Sequence, residues 1–264
     1  MIFILGGNGF VGSAYARVLA AQGRKFTVIT RANYAALAGR SCDVLINANG
    51  NSKKFLAQRA PLEEFDASVR SVRASLVDFP CQTYVYLSTV DVYPDCSSTS
   101  PTAESTPLDP ATQSPYGFHK HLAEQCVRHS APAWLILRLG GFVGPGLWKN
   151  AIHDVMQGGP LWLDPRSELQ FLHTDQSAEL AMKLIDSPCR GEVFNLCGRG
   201  VISLAEVIEA TATSVPVRSG SPCVRYEVDI SKLAAHVIVP ETRPTVLQFI
   251  REHQAAMRAV KGAA

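Results

Sequence analysis

The 264-residue sequence predicts an α/β fold with a Rossmann-type, doubly wound parallel sheet that is shortened by about one outer strand. Short apolar runs with the length of buried strands alternate with segments of helical period, a pattern typical of parallel sheets. The first run, residues 1–5, ends in glycines and leads directly into a helical segment. We therefore expect a strand, a tight turn and a helix to open the fold.

The composition narrows the classes of protein to which the chain can belong. Hydrophobic residues make up 47% and charged residues 18%, which suits a globular protein with a sizeable core. The net charge of +2 does not indicate a nucleic-acid or membrane surface, and no apolar run approaches the roughly 20 residues of a membrane helix. The first strand is expected to begin at Met1, so we expect no signal peptide. The seven cysteines form no C-x-x-C pair, so we expect a cytoplasmic protein without a metal site.

The turn after the first strand has the spacing G-x-x-G-x-x-G at Gly6, Gly9 and Gly12. Glycines allow a sharp turn and a close approach of the backbone, and the free N–H groups at the helix start then face an anion such as a pyrophosphate. The alternative is a glycine turn with no ligand. The candidate cofactor-binding residues in this turn are Gly6, Asn8, Gly9, Phe10, Val11 and Gly12.

The second strand, residues 25–31, ends in Thr30 and Arg31. Dinucleotide-binding folds of this type usually carry an acidic residue here for the adenosine ribose. A cation instead suits a 2′-phosphate, so Arg31 favours NADP over NAD as the cofactor, although Arg31 can also be an ordinary solvated loop residue.

Only about a dozen residues separate Arg31 from the next strand, residues 43–48, whereas another strand and helix need on the order of 30. One outer strand is therefore expected to be missing or rudimentary. Ala48 and Asn49 follow at the carboxyl end of this strand, the edge at which open α/β sheets bind ligands. They are candidates for contact with the cofactor or substrate, and an Asn-Gly turn is the alternative.

The following elements continue the alternation. The pattern predicts a helix over 61–79, a strand over 83–89, a loop rich in Ser, Thr and Pro over 95–115, a helix to about residue 129 and a strand over 133–139.

A glycine-rich passage then breaks the alternation, and a small mixed α/β lobe is expected after it. We divide the chain into a dinucleotide-binding domain, residues 1–145, and a substrate-binding lobe, residues 146–264, with segments interleaved with the first domain. Within the lobe we expect helices near 149–157, over 175–186, from 203 and near 243–259, and strands at 161–163, near 170–172 and over 192–196.

Tyr116 and Lys120 lie four residues apart and share one helix face. An ammonium beside a phenol favours the phenolate, so we expect a lowered pKa for Tyr116 and proton exchange with a carbonyl/alcohol pair near neutral pH. Thr89, with Ser88 beside it, ends a neighbouring strand and can hydrogen-bond to the same oxygen. The glycine turn, the hydroxyl and the Tyr/Lys pair occur in the order that this chemistry requires.

With these motifs the chain resembles, nearly end to end, the extended short-chain dehydrogenase/reductases, the NAD(P)-dependent epimerase/dehydratase family that acts on nucleotide sugars. The resemblance implies that Thr89 is the catalytic hydroxyl, that Tyr116 is the acid/base and that Lys120 holds the nicotinamide ribose. It also implies that the nicotinamide carries the hydride, and family habit suggests a homodimer. The matching segments are 6–12, 87–93, 114–120, 138–145, 170–175, 193–198 and 203–207.

The chain departs from the family pattern at several positions. Val90 stands where dehydratases carry the first residue of an Asp-Glu pair, which argues against a dehydratase. Gly141 and Leu169 replace an asparagine and an arginine that usually contact the substrate diphosphate. Either Lys149, Arg166 or Arg199 compensates, or the substrate carries no diphosphate.

The leading hypothesis is an NADP-dependent oxidoreductase that reduces a keto-sugar, either free or nucleotide-linked. A sugar epimerase with transient oxidation is the first alternative. A non-catalytic cofactor-sensing protein and an isomerase or lyase with tightly held NAD are others. The partner is a small sugar-like substrate, and the residues that could line its pocket are Asp91, Trp148, His153, Gln170 and His173.

Overall fold

The computed structural model describes residues 1–262 and confirms the α/β fold. In chain order the strands are β1 (Ile2–Leu5), β2 (Phe26–Ile29), β3 (Cys42–Asn47), β4 (Cys81–Thr89), β5 (Trp134–Leu139), β6 (Gly141–Val143), β7 (Glu168–Leu169), β8 (Phe171–His173), β9 (Glu192–Leu196), β10 (Ile202–Ser203) and β11 (Arg225–Tyr226).

The helices lie between and after these strands. They are α1 (Gly12–Ala21), α2 (Tyr34–Leu37), α3 (Leu56–Arg59), α4 (Pro61–Phe65), α5 (Ser71–Asp78), α6 (Pro115–Ser130), α7 (Ala151–Met156), α8 (Thr174–Asp186), α9 (Leu204–Thr211), α10 (Ser231–His236) and α11 (Thr242–Gly262). A π-helical segment, Asp66–Arg70, joins α4 to α5, so the helix expected over 61–79 is continuous but locally widened. Within residues 1–262, no helix is both long enough and apolar enough to cross a membrane.

Six parallel strands form the central sheet in the order β2-β1-β3-β4-β5-β9. Strand β2 is an edge because only α2 and its flanking turns separate it from β3, which agrees with the expected loss of one outer strand. Alternate side chains of β1 face opposite layers. Ile2 and Ile4 pack with residues of α1 and α8, whereas Phe3 and Leu5 pack with residues of α5 and α6.

The chain after residue 145 contributes both to the central sheet and to two small sheets. Strand β9 pairs with β5, so this part of the chain returns to the central sheet. The small sheets have the orders β10-β7-β11 and β6-β8. The strand expected at 161–163 does not form: Leu161 makes one isolated bridge to Val217.

A buried ion pair fixes α6 to the centre of the sheet. Arg138 donates from Nε and Nη2 to the two carboxylate oxygens of Glu124 at 3.0 and 2.8 Å, and Ser88 Oγ donates to Oε1 at 2.6 Å. Arg138 also donates to the Tyr93 hydroxyl at 2.8 Å. All of these groups lie in the interior, so each depends on its partner for hydrogen bonding.

We expect Glu124→Ala to lower the free energy of unfolding by about 3–5 kcal/mol, because it leaves the Arg138 guanidinium buried without its carboxylate. Urea denaturation measures this loss. Asp186→Ala is the matched control: it removes an ion pair with Arg24 of 2.8 Å that lies at the surface, and should cost at most about 1 kcal/mol. Equal losses in the two variants would contradict this interpretation.

Candidate active site

The carboxyl ends of the central strands border two adjoining cavities of about 640 and 870 Å³. Both are lined by Gly9 and by residues 48–52, so together they form one continuous groove. We call the smaller one the tyrosine cavity, since Tyr116 lines it, and the larger one the arginine cavity, since Arg31 lines it. A groove across this edge of a doubly wound sheet is where such folds bind dinucleotides.

The glycine turn lies between the two cavities and fits a pyrophosphate. Gly6 has φ +80°, a conformation that other residues rarely adopt. A Cβ on Gly12 would clash with the carbonyl oxygen of Gly6, so the start of α1 can approach β1 only with glycine there. Helix α1 begins without a side-chain cap, and its Ser13 and Ala14 N–H groups donate to the Gly9 and Val11 carbonyls. The N–H groups of residues 10–12, just before and at the helix start, are therefore the ones available to an anion.

Every residue proposed from the sequence for cofactor binding lines one cavity or both. Gly6, Asn8 and Arg31 line the arginine cavity, and Arg31 has no ion-pair partner within residues 1–262. The residues that line the tyrosine cavity are Gly9, Phe10, Val11, Gly12, Ala48, Asn49 and Lys120. The described residues also contain no group of three or more potential metal-ligating side chains.

Tyr116 and Lys120 share the inner face of α6 at the tyrosine cavity. Ser114 caps the helix by accepting a hydrogen bond from the Gly117 N–H at 3.1 Å. A Cβ on Gly117 would clash with the carbonyl oxygen of Asp91, so this glycine lets α6 approach the segment that follows β4. The Tyr116 hydroxyl donates to the Asn51 carbonyl at 2.9 Å. Lys120 Nζ donates to the Leu87 carbonyl at 3.2 Å.

The expected lowering of the Tyr116 pKa is wrong for the protein alone. Burial raises the pKa of Tyr116 well above its ordinary value, and the charges of Asp91 and Glu64 raise it further. The Lys120 ammonium does not offset this because it is directed at the Leu87 carbonyl and lies 4.4 Å from the centre of the Tyr86 ring. Burial also lowers the pKa of Lys120 to about 8, although Glu124, Glu64 and Asp91 oppose that shift.

The structure distinguishes the two adjacent hydroxyls at the end of β4. Ser88 Oγ is bonded to the buried Glu124 carboxylate, so this hydroxyl holds the fold together. Thr89 lines the tyrosine cavity, where its Oγ1 donates to Asp91 Oδ2 at 2.9 Å. Thr89 is therefore the hydroxyl placed to reach a substrate.

Three of the residues proposed to line the substrate pocket lie at the tyrosine cavity: Asp91, Trp148 and Gln170. Trp148 is about half exposed, and Lys149 Nζ lies 4.9 Å from the centre of its ring. The Gln170 amide is occupied by the backbone, since Nε2 donates to the Gly198 carbonyl at 2.7 Å and Oε1 accepts from the Val228 N–H at 3.0 Å. Gln170 therefore shapes the wall and has little capacity left to bind a ligand.

His173 and His153 lie outside both cavities. The His173 side chain caps α8, with Nδ1 accepting from the Asp175 N–H at 3.2 Å, so it closes a helix end instead of facing a ligand. His153 lies in α7, where its N–H donates to the capping Asn150 side chain. His119 points away from the cavity and pairs with the buried Glu64, as its place between Tyr116 and Lys120 suggests.

The diphosphate contacts missing from the sequence are not replaced by the proposed arginines. A Cβ on Gly141 would clash with the Gln170 carbonyl and the Phe171 ring, so no asparagine fits there. Arg166 pairs with Asp164, and neither Arg166 nor Arg199 lines a cavity. Lys149 does line the tyrosine cavity, where it donates to the Ser52 carbonyl.

Sequence reasoning missed two side chains that complete the site around Asp91. Lys54 Nζ donates to Asp91 Oδ1 at 2.6 Å, and the Tyr226 hydroxyl donates to the same oxygen at 3.0 Å. Two consecutive lysines, residues 53 and 54, follow the Asn-Gly turn in the sequence, and they were a weak indication that Lys54 contributes to the site. Tyr226 is brought in by β11 from 135 positions away, and no motif marks it.

We expect the stability of the wild type to rise with pH between about 8 and 10.5 through Lys120. In that range the unfolded chain binds a proton that the native state lacks, because burial lowers the folded pKa to about 8 from 10.5. Relative to its value below pH 8, the free energy of unfolding increases by about 3 kcal/mol at most, and this increase is complete above pH 10.5. Lys120→Met should lose this increment. Urea denaturation of both proteins at pH 7.5 and 9.5 measures it, and parallel pH profiles would contradict it.

The comparisons with known proteins agree with this geometry. A family model described as the NAD dependent epimerase/dehydratase family matches residues 2–197. Comparison with curated proteins gives no significant match.

Solved structures are similar over nearly the whole chain. A UDP-galactose 4-epimerase has TM-score 0.77 at 19% identity, covering 97% of this chain and 99% of its own. MoeE5 in complex with UDP-glucose and NAD has TM-score 0.76 at 17% identity, covering 96% and 99%. The UDP-glucuronic acid 4-epimerase of Bacillus cereus, in complex with UDP-glucuronic acid and NAD, has TM-score 0.77 at 16% identity, covering 95% and 99%.

At sequence identities this low, the structural similarity establishes a shared fold. The match to the family model adds the class of enzyme. The glycine turn, the two cavities and the family match therefore lead to one conclusion: the chain belongs to the NAD-dependent epimerase/dehydratase family and is an NAD(P)-dependent enzyme of the short-chain dehydrogenase/reductase type.

Proposed function

We propose that the protein interconverts a hydroxyl and a keto carbon of a sugar-like substrate, and that its main reaction is the NADP-dependent reduction of a keto-sugar. The observation that carries this proposal is the placement of Thr89, Tyr116 and Lys120 around one cavity that continues into the glycine turn. Bound NADPH would supply the hydride in this chemistry.

The chain's own residues would divide the remaining work. The N–H groups at the start of α1 would hold the pyrophosphate, and Arg31 the 2′-phosphate. Tyr116 would give its hydroxyl proton to the substrate oxygen, because burial keeps the phenol protonated. Thr89, whose own proton is donated to Asp91, would accept a hydrogen bond from the same oxygen once that oxygen is protonated. Lys120 would hold the nicotinamide ribose, as the resemblance to the family implies. For Tyr116 to act, its hydroxyl must leave the Asn51 carbonyl.

Epimerisation is the second candidate, favoured by the family match and by structural neighbours named as epimerases of UDP-sugars. It needs the same three residues together with a substrate that can turn over in the cavity. The two reactions differ in their net use of the cofactor, since reduction consumes NADPH and epimerisation consumes none.

The test is to mix the purified protein with NADPH and either a 4-keto nucleotide sugar or an unlinked keto-sugar, and to follow absorbance at the nicotinamide band. In parallel, UDP-glucose and UDP-galactose are incubated with NAD and followed by proton NMR. Net oxidation of NADPH supports the reductase. Interconversion of the UDP-sugars without net oxidation supports the epimerase. Failure of both reactions, with cofactor bound, would contradict the proposal.

We expect Tyr116→Phe to lower kcat by roughly 10²- to 10⁴-fold, the usual contribution of a positioned acid. The hydroxyl makes one hydrogen bond, to the Asn51 carbonyl, so its loss should leave the fold intact. Steady-state kinetics measure the loss, and the dissociation constant of NADPH, which should change little, is the control. Full turnover in this variant would show that Tyr116 is not the acid.

We expect Arg31→Ala to weaken NADPH binding by roughly 10- to 100-fold and NADH binding hardly at all, because only NADPH carries a 2′-phosphate for the guanidinium. Fluorescence titration with each cofactor measures both changes. Arg40→Ala is the matched control, since Arg40 is exposed and lines neither cavity. Equal weakening for the two cofactors would remove the reason to prefer NADP.

A further inference from the structure

Asp91 joins four separate parts of the fold at the tyrosine cavity. Its carboxylate accepts from Thr89 at the end of β4, from Lys54 in the segment between β3 and α3, and from Tyr226 of β11. Its carbonyl packs against Gly117 at the start of α6. The side chain is only 16% exposed, so these three donors provide most of its solvation. This carboxylate is consequently held in one position.

The contacts of Asp91 also define the state of the Thr89 hydroxyl. Thr89 Oγ1 donates its one proton to Asp91 Oδ2 at 2.9 Å and accepts from the Asp91 N–H at 3.2 Å. A hydroxyl has one donor and two acceptor positions. Thr89 therefore keeps one lone pair for a ligand, and its rotor is fixed by Asp91.

Asp91 is one of several charged or titratable groups that face Tyr116. The charges of Asp91 and Glu64 both disfavour the phenolate. Glu64 already has His119 as a partner, whereas the cation that pairs with Asp91 is Lys54, whose side chain is 61% exposed. Lys54 can therefore be removed with little effect on the core. The groups on the packed elements are Glu64 of α4, Tyr86 of β4, Lys120 of α6, Lys54 before α3 and Tyr226 of β11.

We propose that Asp91 is a positioning residue of the reaction: its carboxylate, balanced by Lys54, fixes the Thr89 hydroxyl and keeps the Tyr116 phenol protonated as the acid. This inference rests on the proposed function, which assigns the proton transfer to Tyr116. It favours the direction in which a keto group is reduced, because only a protonated phenol can donate to the substrate oxygen.

The test uses two variants that change the local charge in opposite directions. Asp91→Asn keeps the size of the side chain and removes the negative charge, so the phenol should ionise at lower pH. Lys54→Met removes the counter-ion and leaves Asp91 unbalanced, so the phenol should ionise at higher pH. Each shift should be roughly half a unit to one unit. Lys25→Met, at the exposed amino end of β2, is the control with the same change in net charge as Lys54→Met and should show no shift.

The direct readout is the ζ-carbon resonance of Tyr116 in ¹³C-tyrosine-labelled protein with NADP⁺ present, assigned by its loss in Tyr116→Phe. It needs no substrate. The alkaline limb of kcat/KM for NADPH oxidation is the second readout, once a keto-sugar is turned over. A residue that only supported the fold would lower kcat without moving either titration.

The inference is supported if the midpoint of the Tyr116 titration is highest in Lys54→Met, intermediate in the wild type and lowest in Asp91→Asn. Equal midpoints, or an upward shift in Asp91→Asn, overturn it. Should Asp91→Asn misfold, the upward shift in Lys54→Met decides alone. The expected order without turnover of any sugar would show that Asp91 controls the ionisation of the Tyr116 phenol but would reject the proposed function. Turnover without that order would support the proposed function and reject the role of Asp91.

Discussion

The ion pair between Glu124 and Arg138 is the interaction on which the arrangement of the site depends. It ties α6, which carries Tyr116 and Lys120, to β5 in the interior of the sheet. Ser88 shares the same carboxylate, so the end of β4 is held in the same network. A buried charged network is stable only when every donor and acceptor is matched, which leaves α6 little freedom to slide. The phenol of α6 and the Thr89 hydroxyl of β4 therefore reach one cavity.

Burial determines the chemistry of the groups that this network positions. An ammonium and a phenol that were exposed would keep their ordinary pKa values, whereas here burial lowers the pKa of Lys120 to about 8 and raises that of Tyr116. Both shifts disfavour the charged form of the side chain, so the Tyr116 phenol is protonated in the site without ligand. Clusters of perturbed groups in a groove are typical of catalytic sites, and they reduce stability in return. This loss of stability is confined to the site, because the layers on both sides of the sheet are closely packed.

Local signals allowed the main parts of the fold to be predicted, and non-local contacts account for what was missed. The glycine turn, the central strands and the Tyr116/Lys120 spacing depend on neighbours in sequence, and the parallel sheet is confirmed. The Tyr116 pKa was predicted in the wrong direction because the spacing gives the ammonium but not the burial. Tyr226 was missed because β11 brings it in from the other end of the chain. His173 shows the converse, since a polar residue beside a helix start serves as a cap.

The central claim is that one dinucleotide spans both cavities across the glycine turn. A crystal structure of the protein with NADP⁺ tests it most directly. We expect density for the adenosine half in the cavity lined by Arg31, and for the nicotinamide half in the cavity lined by Thr89, Tyr116 and Lys120. A cofactor bound in the reverse direction, or confined to the cavity of Arg31, would contradict it.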